Sequence, residues 1–490
     1  MNTIHLKMDA LRKIRSVDPR LVSYNIEMAE VTGGTFWKAY TPGQLAGTEP
    51  FPPVSDPSDT GALMQVYPPI DLSSEKLRFL AKALGPVWVR VSGTWATSVY
   101  YDLDDRCGGR PPEGYKSVLT RSQWDGVLDF VQAVGAKLLI SAANCAGNHT
   151  SSEPWDPTQL DELLTYSKTK GVPVAAVEFM NEPNMLEMSG APAGYTAANY
   201  RRDQDTFCRF MRANYPEVPL VGPCPICLNH FRGVDLSGFS CCENEALLAG
   251  TSEPLNIYSY HCYNGSSERI AAIGGHWQAD EALSVPYLDV AAIVARENAE
   301  LRDKYCPNAP MWVTESGDSC GGGSTWASTF LDIFRTLNEL GSFARITDGV
   351  IFHNTLASSD YGLLAREVFE PRPNYYALLL WNRLMGSVVY EIDDTPQENV
   401  RVYAHSRKDG QPGLAYVVLN MNSECIRVEM PAPAQQYTLT ADSLRSSVLR
   451  LNGTPLVLDD PQRLPELRPS QAAPGVVELP PYSATFFVLS

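Results

Sequence analysis

Between residues 21 and 355 the chain alternates short apolar runs with longer stretches of helical period. The apolar runs are LVSYNIE (21–27), PVWVRVSG (86–93), AKLLISAAN (136–144), PVAAVEFMNEP (173–183), VPLVGP (218–223), PLNIYSYHCY (254–263), APMWVTESG (309–317) and DGVIFH (348–353). Several are continuously apolar, the pattern of parallel strands buried on both faces. The stretches SSEKLRFLAKAL (73–84), RSQWDGVLDFVQAV (121–134), TQLDELLTYSKTK (158–170) and STWASTFLDIFRTLNEL (324–340) repeat their apolar positions at helical spacing. Eight strands alternating with helices predict an α/β fold, a (β/α)8 TIM barrel with large loop insertions.

After residue 386 the pattern changes. SVVYEI, VRVYAHSR, LAYVVLNMN, IRVEMP, QQYTLTA and ATFFVLS are short, alternating and punctuated by Pro, Gly, Asn or Asp. That rhythm predicts an antiparallel β-sandwich. The expected organisation is a barrel over 21–386 and a sandwich over 387–490, with segment 1–20 adding an element to the sandwich. The Pro-rich stretch 48–69 and the Gly/Pro stretch 107–114 read as long loops on the barrel's upper face, where such loops are often functional.

A length of 490 residues agrees with a large barrel plus a second module. Hydrophobic residues at 44% and charged residues at 19% exclude a mostly disordered chain. A formal net charge of −17 disfavours nucleic acid and anionic membrane surfaces as partners. The opening residues MNTIHLKMDALRKIRSVDPR contain no apolar signal region, and no run is long enough for a membrane span. A cytoplasmic location is expected, although a trimmed secretory signal would leave the same trace. Eleven cysteines, scattered from Cys107 to Cys425, read as mostly free thiols in a reducing compartment. Cys224, Cys227, Cys241 and Cys242, with His230, have partly zinc-like spacing, but the adjacent pair fits poorly. No metal or other cofactor is expected. HExxH, P-loop and G-x-S-x-G patterns are absent.

Chemistry in such a barrel sits at the C-terminal ends of the strands. The fourth run ends in Asn181-Glu182-Pro183-Asn184, and the seventh ends in Thr314-Glu315-Ser316-Gly317. A glutamate at either place alone is more often a cap or a loop residue. Two carboxylates facing each other across the barrel mouth are what glycosidic cleavage requires, one to protonate the leaving oxygen and one to attack or activate water.

Asn-Glu-Pro on strand four with Glu on strand seven resembles the clan A glycoside hydrolases, which are retaining enzymes. The stretch TESGDSCGGG (314–323), with SYNIEMA (23–29), RVSGT (90–94), FMNEPN (179–184), YHCYNG, DYGLL (360–364) and PRPNYYALLLWNRLMGS, resembles glycoside hydrolase family 79, the β-glucuronidases and heparanases. The resemblance implies Glu182 as general acid/base, Glu315 as nucleophile and Asn181 as a partner of the sugar 2-hydroxyl. It also implies that Gly321, Gly322 and Tyr361 receive the uronate carboxylate, through donors that need not be charged. Tyr263 would orient Glu315, and Glu27 would bind sugar hydroxyls. Thr94 and Asn144, ending strands two and three, are candidates for similar contacts. His353 ends strand eight where heparanase has a neutral amide, a departure from the family pattern; because both side chains can hydrogen-bond, it too is a candidate for substrate binding.

The implied activity is removal of terminal β-linked glucuronic acid from a glucuronide or glucuronate-containing saccharide through a covalent glycosyl-enzyme. The alternative is endo-acting, heparanase-like cleavage within heparan sulfate or a related glycosaminoglycan. Arg110, Lys116, Arg121, Arg366 and Arg372 lie in or near predicted upper loops but are interspersed with Asp102, Asp104, Asp105 and Glu113. With the acidic net charge, that mixture favours a closed-ended pocket over a basic cleft. No counterpart of an excised linker stands between 91 and 136, so an unprocessed single chain is expected. A xylosidase or arabinofuranosidase of the same clan, or a carbohydrate-binding protein without catalysis, are the remaining readings.

Overall fold

The computed structural model describes residues 3–9, 11–53, 60–149, 154–234, 240–392 and 398–490. Eight parallel strands close into a barrel: β1 Val22–Glu27, β2 Trp88–Ser92, β3 Lys137–Ser141, β4 Ala176–Glu178, β5 Leu220–Ile226, β6 Ile257–Tyr263, β7 Met311–Gly317 and β8 Ile351–His353. Lys137 aside, every residue in these strands is buried, which is why the runs read as continuous rather than alternating.

Seven longer helices surround the barrel: α1 Glu75–Ala83, α2 Arg121–Val134, α3 Thr158–Thr169, α4 Ala197–Asn214, α5 Val290–Tyr305, α6 Phe330–Ile346 and α7 Pro373–Leu384. Local chemistry sets their ends. Thr120 and Gln123 form a reciprocal capping box at the start of α2, and Gly135 ends it at φ 74°. Among the described residues, the β5–β6 connection carries 3-10 turns in place of a helix. The helix predicted over 324–340 starts only at Phe330. Ser328 stands at φ 50°, with its hydroxyl on the carbonyls of Tyr361 and Gly362, so these first residues brace the barrel mouth.

The lumen is graded from floor to mouth. Trp88, Leu139, Ala176, Val221, Ile257, Trp312 and Phe352 form an apolar floor separate from the outer core, with the two indoles 4.9 Å apart. Replacing either indole by Ala would cost about 3–5 kcal/mol. The strand period of two then carries Arg90 above Trp88 and Glu178 above Ala176. A charged layer therefore rests directly on the floor, and Arg90 and Glu178 are both fully buried.

The second module has two sheets. Thr3–His5 pairs with Ile426–Met430, which pairs with Gly475–Leu479. The larger sheet contains Lys13–Ser16, Met385–Tyr390, Val400–Arg407, Leu414–Asn420, Ser483–Leu489 and Ala434–Thr440. Ile4, Val402, Tyr416, Val428 and Phe487 pack between the sheets. The module seats on α6, where the Tyr403 hydroxyl donates to Asn338 Oδ1 at 2.8 Å. A Cβ at Gly341 would meet the Tyr403 ring at 2.3 Å, so this close approach needs glycine.

Of the predicted upper loops, the excursion after β1 forms a hairpin of Gly34–Trp37 with Met64–Tyr67. Residues 54–59 of that loop lie outside the described residues.

Candidate active site

β7 delivers Glu315 to the barrel mouth. Tyr263, the last residue of β6, donates its hydroxyl to Glu315 Oε2 at 2.7 Å. Arg90 Nη1 donates to Glu315 Oε1 at 3.0 Å. Glu182 arrives differently: β4 ends at Glu178, and the chain turns before Glu182 takes φ 44°, ψ 54°. A non-glycine residue in this region is strained, a condition that clusters at functional sites. His261 Nδ1 stands between the two carboxylates, 2.9 Å from Glu182 Oε1 and 3.6 Å from Glu315 Oε2. One oxygen of each carboxylate and the imidazole nitrogen all lie within 4.8 Å of one another.

The two carboxylates are pushed in opposite directions. Burial raises the Glu182 carboxyl above the usual carboxylate range, and the charge of Glu315 adds to that, outweighing the hydrogen bond from His261. Burial also acts against Glu315, but His261, Arg90 and the Tyr263 hydroxyl prevail and hold it below the usual range. Arg90 is the pivot. Its Nε donates to Glu178 Oε1 at 2.5 Å and its Nη2 to Asn181 Oδ1 at 2.8 Å. The donor sets Glu178–Cys224–His261 and Glu182–His261–Glu315 have spacings that a metal could use. Arg90 already supplies a cation bonded to Glu178 and Glu315, one member of each set.

Around this pair lies a cavity of about 600 Å³, lined at one end by Glu27, Tyr263, Glu315, Gly321, Asn354 and Tyr361. Glu27 is buried, and its carboxyl is raised well above the usual range by burial and then by Glu315 and Glu30. Gly93, at φ 90°, makes room for it, since a Cβ there would fall 1.5 Å from Glu27 Oε2. Asn354 Nδ2 donates to both the Tyr263 and Tyr361 hydroxyls, at 2.9 and 3.2 Å, tying the two phenols together.

The glycine run is held from behind. Gly321, Gly322 and Gly323 all have positive φ, near 80–93°. The Gly322 carbonyl accepts from Ser359 Oγ and the Asp360 amide, and the Gly323 carbonyl accepts from the Tyr40 hydroxyl at 2.6 Å. Arg269, itself buried, stacks 3.9 Å over the Tyr40 ring and donates to Asp360 Oδ2 at 2.6 Å. Loops following β1, β6, β7 and β8 are thus locked to one another beside Tyr361.

The remaining sequence candidates divide. Thr94 lines the cavity. Asn181 adjoins Glu182 but is not a lining residue, and its carbonyl is held by Arg90. Gly322 sits behind Gly321, against Trp37 and Ser359. Two expectations change. Asn144 does not reach the cavity, because its amide nitrogen donates to the Tyr195 hydroxyl at 3.0 Å and its oxygen meets His149 Nε2 at 2.8 Å. His353 lies beneath Tyr361, with Nε2 at 2.8 Å from the Tyr361 carbonyl. Burial and then Arg335 lower its pKa to about 4, and it is not among the residues lining the cavity.

The cysteine cluster does not assemble. Cys224 Sγ donates to the Met180 carbonyl, Cys227 accepts from Asn298 and Asn244, and all eleven thiols are unpaired. Of the five basic candidates only Lys116 lines the cavity. Arg121 pairs with Asp105, Arg366 donates to Ser358 and the Pro68 carbonyl, and Arg372 binds the carbonyls of Ser359 and Asp360.

Arg90, His261 and Asn354 were not singled out by the sequence reading. Arg90 carried a signal, being one cation inside an apolar run. His261 lies two residues before Tyr263 on β6, so the strand period places both on the lumen face.

Comparison with known proteins follows this geometry. A family model described as glycosyl hydrolase family 79, N-terminal domain, matches residues 65–341. Heparanase-like protein 1 of Arabidopsis thaliana is 28% identical over 377 residues, which is 72% of this chain but only 65% of that protein. Baicalin-beta-D-glucuronidase of Scutellaria baicalensis is 25% identical, over 85% of this chain and 83% of its own. Among solved structures, a 4-O-alpha-L-rhamnosyl-beta-D-glucuronidase from Fusarium oxysporum superposes with a TM-score of 0.64 at 12% identity, covering 99% of this chain and 100% of that one. At that identity the likeness speaks for the fold alone.

Proposed function

The chain belongs to glycosyl hydrolase family 79, and from that premise we propose that it is a retaining glycoside hydrolase removing terminal β-linked glucuronic acid. The observation that carries this reading is the carboxylate pair. One oxygen of Glu182 and one of Glu315 lie within 4.8 Å of each other, and the two carboxyls are biased toward opposite protonation states. Inverting enzymes hold their carboxyls about 6.5–9.5 Å apart to admit a water, whereas retaining enzymes use about 5–5.5 Å.

The chemistry follows from the bias. Glu315, ionised, attacks the anomeric carbon. Glu182, protonated, gives its proton to the departing glycosidic oxygen. Glu182 then takes a proton from the water that releases the sugar from Glu315. Tyr263 and Arg90 hold the nucleophile and stabilise its charge when it is released again. The sugar carboxylate is received at the Gly321 loop and Tyr361, where backbone N–H and phenol donors serve in place of a cation. Glu27, held neutral, is suited to donating as well as accepting with a sugar hydroxyl.

Action on a chain end is supported by the charge of the cavity. Among the described residues lining it, Lys116 is the only Lys or Arg, and of the four glutamates Glu27 and Glu182 are pushed toward the uncharged form. A long sulfated polyanion would find one cation there and would be repelled by the chain's net charge of −17. The unpaired cysteines support residence in a reducing compartment.

The test is a panel of 4-nitrophenyl glycosides. Release from the β-glucuronide, with little from the β-glucoside, β-xyloside or α-arabinofuranoside, supports the reading. Strong β-xyloside turnover without β-glucuronide turnover sinks it. The size distribution of heparan sulfate after incubation separates the alternatives, because internal cuts would shorten the polymer early.

A further inference from the structure

The cavity continues beyond the sugar site, and its walls there are of a different kind. Glu182 protonates the leaving oxygen, so the leaving group lies on its side of the cavity. Immediately after Glu182 the chain makes a short 3-10 segment, Pro183–Ser189, which presents Met185 and Met188 to the cavity. Leu228, from the turn after β5, joins them. A Cβ at Gly190 would meet Thr97 at 3.2 Å, so the turn carrying Trp95 lies beside that segment; Trp95 and Phe36, with ring centroids 5.0 Å apart, line the cavity too, as does Met64 from the neighbouring strand of the hairpin. Met188 is exposed although it is large and apolar.

About 600 Å³ is more than one pyranose ring fills, and it falls within the ~300–1,000 Å³ of sites that enclose drug-sized ligands. A leaving group made of a sulfated or uronate-bearing sugar would need several cations along these walls, and among the described residues that line them Lys116 is the single one. Aromatic rings and thioethers instead match a flat apolar ring system, with methionine adapting to its outline.

Resting on the glucuronidase reading above, we propose that the preferred substrates are β-glucuronides of apolar, ring-bearing alcohols or phenols, bound against the Met185–Met188 segment and the Phe36–Trp95 pair. The leaving group's own acidity must not confound the test. Phenyl and 2-naphthyl β-glucuronides are therefore compared, since their phenols have similar acidity, together with a glucuronyl-β-N-acetylglucosamine disaccharide. The expected kcat/KM for the naphthyl substrate exceeds that for the phenyl substrate about tenfold or more, mainly through KM. Trp95→Ala and Met188→Ser should each collapse the naphthyl-to-phenyl ratio toward one.

Naphthyl and phenyl values within twofold of each other, or a disaccharide KM below that of the naphthyl substrate, would overturn the apolar leaving-group site while leaving the glucuronidase reading standing. No turnover of any of the three would overturn both. The wild-type comparison decides the matter even if a variant fails to fold.

Discussion

Replacing Tyr263 by Phe removes one hydroxyl from the nucleophile and little else. That hydroxyl donates to Glu315 Oε2 at 2.7 Å and accepts from Asn354 Nδ2 at 2.9 Å. Asn354 Nδ2 keeps the Tyr361 hydroxyl at 3.2 Å, so no new orphan donor arises and the fold should persist. A hydrogen bond to a charged group contributes about 1.5–3 kcal/mol. Arg90 at 3.0 Å and His261 at 3.6 Å remain, which places the loss near the lower figure. That corresponds to roughly one pKa unit and about tenfold in rate.

The sign follows from the bias on the nucleophile. Glu315 works ionised and is held below the usual carboxylate range, in part by this donor. Its removal lets the carboxyl rise, so the acid limb of kcat/KM moves to higher pH by about one unit. The same donor stabilises Glu315 as it departs from the glycosyl-enzyme. Release of the sugar therefore slows, and a burst of aglycone precedes a steady state about tenfold below wild type. Stopped-flow release of 4-nitrophenol across pH measures both quantities, with the unfolding midpoint as the control for structure. An unmoved acid limb with kcat within twofold of wild type would refute the role given to Tyr263.

Glu182→Gln should remove the alkaline limb, which reflects deprotonation of a carboxyl held above its usual range. It should slow poor leaving groups at least about 100-fold more than 4-nitrophenol, and azide should restore turnover as a β-glucuronyl azide visible by NMR. Arg90→Met strands the fully buried Glu178, and chemical denaturation should show a loss of about 3–5 kcal/mol. Gly93→Ala puts a Cβ into the Glu27 carboxylate, and a large loss of kcat/KM with near-normal far-UV dichroism is expected. Arg269→Met releases the brace on the glycine loop, and the glucuronide-to-glucoside ratio of kcat/KM should fall about tenfold, with Arg269→Lys recovering part of it.

Strand identity and the two glutamates were legible because both are local: buried parallel strands are continuously apolar, and their polar ends stand out. The end of β4 was not. Phe179 and Met180 prolong the apolar run beyond Glu178, yet they are buried in a turn and not in a strand, and hydrophobicity does not separate the two. Asn144 looked like Asn181 from its position alone. Its partners, Tyr195 and His149, come from a distant loop and from the turn just after β3, and they engage it away from the cavity. Arg90 acquires meaning only through Glu178 and Glu315, which lie 88 and 225 residues away.

The pairing of Thr3 with Arg427, and of Arg15 with Val389, has a temporal consequence. Translation proceeds at about 5–20 residues per second, so Thr3–His5 waits on the order of 20–85 s for its partner. Before that interval ends the whole barrel can close while its leading segment still has an unpaired edge, the kind of edge that invites pairing with another chain. The opening residues meet this hazard with brevity and charge. Thr3–His5 is three residues long, and Lys13 and Arg15 lie within Lys13–Ser16. Short, basic strands of this kind are poor templates for a stranger, and they can hold their place until Met385–Tyr390 and Ile426–Met430 arrive.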